Sequence, residues 1–338
     1  MLRVRSGDAR GRPGPQRQIH RTVLIGFLAS VGLLQSTVTP ATAFSYPGYI
    51  TSWYMDTVST TTLYDMGCAL GNAREGGSAP QNSLVVLDWG QAQLRSGVYG
   101  TWDFSSHYRT VTQIRSAVVA YAHGFWLCTG GNLTAHVRIA IGTSNYANFC
   151  KTCGMTDAEV TGHGKAWANM VDAAMVDIAN AGYGSQADVV GAADIEVSWG
   201  TSSTGRRWVD AYDSVNSWSF YNFGDAAGCR QSGTTKTSDQ CGSSSWFQDD
   251  LYWISWGSPS AFAVPEIYLA DSAMAKQWQQ ISKWGTLNGN SRIGFEGAMT
   301  TTTGNSPQEG WTQLRDKCAA DAATALTSLK FATKIQFH

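Results

Sequence analysis

The chain is short of charge. Only 14% of its 338 residues are Asp, Glu, Lys or Arg, and the basic ones are badly distributed for binding phosphates. Six arginines (Arg3, Arg5, Arg10, Arg12, Arg17, Arg21) lie at the extreme N-terminus. With 24 basic and 25 acidic residues in all, setting aside those six and Asp8 leaves the remainder acidic by six. No net positive charge then remains to neutralise a nucleic-acid backbone, so nucleic acid is disfavoured as a partner. Long apolar runs are also missing, apart from Val23–Leu34, which is too short to span a bilayer. No G-x-S-x-G accompanies His107, His123, His136 or His163, so a serine hydrolase is disfavoured. No H-E-x-x-H is present for a zinc protease, and Cys150-x-x-Cys153 has no second C-x-x-C to complete a zinc site. Neither a metal nor a cofactor is expected. No repeat of solenoid length is visible, and no Gly-rich phosphate turn follows an early strand.

What is present at the N-terminus reads as an export signal. The arginines, the apolar run and Ala41-Thr42-Ala43 follow the order of a secretory signal peptide, which predicts a leader over residues 1–43 and a single domain over 44–338. The expected location is extracellular, with no membrane anchor in the mature chain. Export favours disulfides among the seven cysteines. The expected pairings are Cys229 with Cys241 across a Gly/Ser/Thr-rich loop, Cys68 with Cys318, and a local Cys150–Cys153 bridge, leaving Cys128 free. The 36 Gly, 14 Trp and 13 Tyr suit a protein that handles polysaccharides, because sugar rings stack on aromatic faces, although core packing is the commoner use of any one ring.

The segment Ala187–Trp199 carries the most information. It is apolar until Asp194 and Glu196, as a strand buried on both faces would be. Side chains alternate along a strand, so the two acids share a face. Inside a barrel mouth, burial and mutual repulsion would hold one of them protonated near neutral pH. Glu196 is the expected general acid and Asp194 the neighbour that tunes it. The alternative is an acid pair satisfied by backbone amides or an arginine.

Further strands are expected at 49–55, 83–90 (ending in Asp88 and Trp89), 136–141, 219–224, 250–256, 261–268 (with Glu266) and 292–299 (with Glu296). Between them lie helical patterns, the clearest being Val111, Ile114, Val118 and Tyr121. Capping boxes are expected at Thr156/Glu159 and at Ser306/Glu309 with Pro307 at N1. The last helix is drawn through Trp311, Leu314, Cys318, Ala322 and Leu329. Eight strands alternating with helices predict an α/β fold of (β/α)8 TIM type, somewhat irregular, with a doubly wound open sheet as the runner-up.

In such a barrel chemistry sits at strand ends. Asp88, Asp194, Glu196, Asp225, Glu266 and Glu296 are expected there. Two carboxyls suffice for glycoside hydrolysis, one protonated and one ionised. Glu296 and Glu266 compete as partner to Glu196. Tyr221, Asn222, Asp225, Trp253, Trp256 and Trp89 are the expected substrate contacts. The Asp194-x-Glu196 motif on the fourth strand resembles the D-x-E signature of secreted (β/α)8 glycoside hydrolases, including chitinase-like enzymes and bacterial muramidases. That resemblance implies that Glu196 is the proton donor, Asp194 its partner, and a glycan the substrate. The longer D-x-x-D-x-D-x-E form is absent, since positions 189 and 192 are Val189 and Ala192. A second reading is an inert exported barrel that binds glycans or a surface partner through an aromatic rim.

Overall fold

The computed structural model describes residues 44–77, 81–146, 154–216 and 218–338. The expected leader and the Cys150–Cys153 pair lie outside them. In chain order the elements are β1 (Ile50–Tyr54), α1 (Thr60–Asn72), β2 (Gln81–Arg95), β3 (Val98–Trp102), β4 (Tyr108–Thr110), α2 (Val111–Cys128), β5 (Ala135–Ser144) and α3 (Asp157–Asn180). They continue with β6 (Ala187–Asp194), α4 (Ser202–Asp213), β7 (Phe220–Asn222), α5 (Gln248–Tyr252), β8 (Ala261–Ala263), α6 (Ala273–Leu287), β9 (Gly297–Thr300), α7 (Pro307–Ala319) and β10 (Phe331–Phe337).

Hydrogen-bonded neighbours run β8-β7-β6-β5-β2-β1-β10-β9, every pair parallel. The circle is closed by scattered bonds between β9 and the segment after β8. Glu296 N donates to Ala263 O at 2.9 Å, Met299 N to Pro265 O at 2.9 Å, and Ile267 N to Met299 O at 2.8 Å. Pro265 has no N–H to extend a ladder, which accounts for this seam. The result is a nearly closed, TIM-type parallel barrel. β3 and β4 form an antiparallel excursion from the end of β2.

Alternation along the strands sorts the core into two shells. Leu84, Val86, Ala140, Val190, Ala192, Tyr221, Phe223, Val264, Met299 and Ile335 fill the barrel. The intervening residues, such as Val85, Ile139, Val189 and Phe220, pack outward into the helical layer. Both expected capping boxes form, at Thr156/Glu159 and Ser306/Glu309.

Two elements differ from expectation. Residues 250–256 are not a strand: α5 passes into a π-helical turn, Trp253–Gly257. Leu251 and Ile254, three residues apart, are its buried face, and Asp249 and Asp250 suit the positive end of a helix. The eighth strand is instead β10. α7 stops at Ala319, so Ala322 and Leu329 belong to the loop before β10.

The disulfides correct one expected pairing and the expected free cysteine. Cys229–Cys241 forms as expected, but Cys68 pairs with Cys128 rather than Cys318, and Cys318, not Cys128, is the buried free thiol among the described residues. α1 and α2 touch backbone to backbone, since a Cβ on Gly124 would sit 2.0 Å from Tyr64 O. That close approach brings the two sulfurs within bonding reach.

Candidate functional site

The inward face of β6 runs Val190, Ala192, Asp194, and the same alternation carries through buried Ile195 to Glu196. Asp194 is 2% exposed, whereas Glu196 is half-buried. Asn145, just beyond β5, fixes the turn that follows. Its Oδ1 accepts from Glu196 N at 3.0 Å, and its Nδ2 donates to Glu196 O at 3.1 Å and Trp199 O at 2.6 Å. Ser198 Oγ donates to Glu196 Oε2 at 3.1 Å.

Three more strands deliver acids to the same mouth. Asp88 is the next inward residue after Leu84 and Val86 on β2 and is fully buried. Gly142 on β5 makes room for it, since a Cβ there would lie 2.9 Å from Asp88 Cα. Asp225 follows β7, and Glu266 sits on the seam between β8 and β9, at 6% and 3% exposure. Asp88 Oδ1 accepts from Gly90 N at 2.9 Å, and Asp225 accepts from the amides of Ala227 and Val197. Asp88 Oδ2 and Asp194 Oδ1 are buried with no hydrogen-bond partner. Among the described residues none of these carboxyls enters an ion pair.

The electrostatic consequence follows directly. Burial pushes the Asp88 carboxyl up to about 7, with the Gly90 amide pulling the other way. Burial and then the charge of Asp225 push Glu196 up to about 7. Asp194 and Glu266 are held well above the ordinary carboxylate range, first by burial and then by the surrounding acids. Asp225 is raised by burial, but its two amide donors favour the anion. These are the conditions under which carboxylic acids stay protonated near neutral pH.

Tyr54 and Tyr268, which sequence reasoning missed, face the same acids. Burial and then the neighbouring carboxylates raise both phenols. The available signal was position: Tyr54 ends β1 in register with inward Ser52, beside Asp88 of β2. Around the opening, Tyr54 packs on Phe104 and Phe337 at 4.7 and 5.2 Å, and Tyr146 meets Trp199 at 5.1 Å. Phe104, Tyr146 and Phe337 are exposed.

Other expected site residues lie elsewhere. Glu296 precedes β9 at the opposite, N-terminal end, where Lys330 Nζ donates to both its oxygens at 3.2 and 3.0 Å. Tyr221 is inside the barrel and accepts from Arg138 Nη1 at 3.0 Å. Strand alternation turns Trp89 and Asn222 outward into buried positions. Trp89 Nε1 donates to Thr57 O, and Asn222 Nδ2 to Ser255 Oγ. Asn222 Oδ1 accepts from Ile195 N and Gly224 N, so it steadies the acid-bearing segments from behind. Trp253 and Trp256 belong to the π-helical turn. Trp253 Nε1 donates to Asp210 and Trp256 Nε1 to Ser291. Of the expected substrate contacts, Asp225 alone faces the mouth.

Among the described residues no group of three His, Cys, Asp or Glu is placed to hold a metal ion. An open groove of about 650 Å³ lies between α3 and α4, away from the acids, and its Arg206 and Arg207 are already paired with Asp250 and Asp157. No protein-family model and no curated protein matches the chain.

Proposed function

We propose that this chain is a secreted glycoside hydrolase that cleaves a glycan, such as a cell-wall polysaccharide, by carboxylate acid–base chemistry. The observation that carries this reading is the set of unpaired carboxyls, Asp88, Asp194, Glu196, Asp225 and Glu266, gathered at one barrel mouth under exposed aromatic rings. Glu196 is the acid that combines a raised affinity for its proton, up to about 7, with access to the opening. It donates that proton to the leaving glycosidic oxygen. Asp225, whose two backbone amide donors favour the anion against the raising effect of burial, is its ionised partner, attacking the anomeric carbon or activating water. Asp194, Asp88 and Glu266 lie behind and keep the Glu196 proton in place. The arginine-led N-terminal segment with its apolar run and the two disulfides among the described residues support export.

Replacing Glu196 with Gln keeps the shape and removes the titrating proton. Release of reducing ends from polysaccharide should fall by roughly 10²–10⁴-fold, with no lowering of the thermal midpoint. Release at the wild-type rate would remove Glu196 from the chemistry. Retained glycan binding with no release by either protein would favour the inert, aromatic-rimmed binder.

A further inference from the structure

Resting on the reading that the mouth holds a glycan, we infer that this glycan carries free, protonated amino groups, as a polymer of deacetylated amino sugars does. The mouth gathers Asp88, Asp194, Glu196, Asp225 and Glu266 without one cationic partner among the described residues. Two buried oxygens, Asp88 Oδ2 and Asp194 Oδ1, have no donor at all. Arginines on nearby strand-to-helix loops are committed elsewhere: Arg109 Nε to Asp103 and Arg230 to Asp239 at 2.9 Å.

A buried polar group without a partner is costly in a folded protein, and these unpartnered acids behind the opening add to the demand for positive charge at Glu196 and Asp225, which a ligand meets first. An ammonium group brings three donors and a positive charge. An acetamido group brings one N–H and no charge, and a uronic acid adds another negative charge. A metal ion would also supply positive charge, but no three of these carboxyls are placed to ligate one. The rim suits the same ligand, because aromatic faces such as those of Tyr54, Tyr146 and Trp199 accept both sugar rings and cations. An ammonium docked against protonated acids also draws a proton off them, so amine binding releases protons.

The test uses the Glu196→Gln protein, so that ligands stay intact, at about pH 6 where such amines are largely charged. Binding of a glucosamine oligomer is compared with its N-acetylated form and with an oligogalacturonate. The amine form should bind about tenfold more tightly than the acetylated one at low salt. The advantage should shrink at high salt, shrink again on adding Asp225→Asn, and be accompanied by proton release. Equal affinities, or tighter binding of the acetylated or acidic oligomer, would overturn the inference. The underlying reading is scored separately with wild-type protein. Cleavage of acetylated polymer alone sinks the amine preference and keeps the hydrolase; a tenfold amine preference without cleavage of any polymer does the reverse.

Discussion

At the N-terminal end of the barrel, Asp188 receives Arg138 Nε at 2.8 Å and Nη2 at 2.7 Å, Arg138 also reaches Tyr221, and Glu296 is held by Lys330. At the C-terminal end, Asp88, Asp194, Glu196, Asp225 and Glu266 have no such partners. Both ends close the same apolar plug, and both place ionisable groups inside it. Where each acid meets a base the charges persist: the Asp188 hydrogen bonds hold the Arg138 guanidinium above its ordinary range. Where acids meet only acids, burial turns them into proton stores. The paired end serves as a lid on the core. The unpaired end carries an electrostatic cost that the fold alone does not require, and that cost is the ground on which the proposed chemistry is placed there.

The sharpest way to break this contrast is through pH. Asp88 binds its proton more tightly folded, up to about 7, than its ordinary value of 3.8. A raised acid contributes stability that is fully present below the unfolded value and is lost as pH rises through the folded one. Over that window the loss is about 4 kcal/mol for this one group. Asp88→Asn cannot ionise, so its stability relative to wild type should rise by about 2.5 kcal/mol between pH 5 and pH 8, the part of that loss that falls in this range, as read by denaturant unfolding. A constant difference across the range would mean that Asp88 is already ionised. His163 works in the opposite direction. Burial lowers it to about 4, so its contribution fades as pH falls from its unfolded value toward that one. Between about pH 4 and 6.5 the two slopes therefore oppose and largely cancel, which is why the comparison with Asp88→Asn, where the His163 contribution is common to both proteins, isolates the carboxyl.

A smaller effect should follow at the paired end. Arg138→Met leaves Asp188 with one distant neighbour, His136 Nε2 at 3.9 Å. Stranding a partly buried carboxylate should cost about 2–3 kcal/mol, toward the low side of the range for buried pairs because both groups keep some solvent. The rate of glycan cleavage should be unaffected once the protein is folded. A parallel loss of rate would show that the two ends are not independent.

Much of the contrast was legible in residue order. Alternation in Val190, Ala192, Asp194 and Glu196 was enough to put two acids inside, and turn chemistry at Thr156 and Ser306 located two helices. What failed depended on contacts distant in sequence. The aromatic segment at 250–256 has strand propensity, but Leu251 and Ile254 bury a helical face, so packing overrode preference. β10 has a plain period of two, with Phe331 and Ile335 inward and Lys334 and Gln336 on the alternate positions, yet buried Leu326 and Leu329 in the preceding loop mimic a longer helix. The Cys68–Cys128 bridge depends on the glycine contact of α1 with α2, which no spacing announces. Glu296 was misplaced because the strand expected over 292–299 begins only at Gly297, which puts the acid just before β9 rather than near its end.

That misplacement supplies the finest test. Glu196→Gln and Glu296→Gln are the same chemical change at opposite ends of one barrel. Glu296 meets an ammonium whose side chain is 56% exposed, and such pairs contribute about 0.5 kcal/mol. Its replacement should therefore shift the unfolding midpoint barely and leave reducing-end release at the wild-type rate, while Glu196→Gln removes release without lowering the midpoint. If Glu296→Gln also reduced cleavage, reactivity would not be confined to the unpaired end, and the absence of counter-ions would no longer serve to locate it.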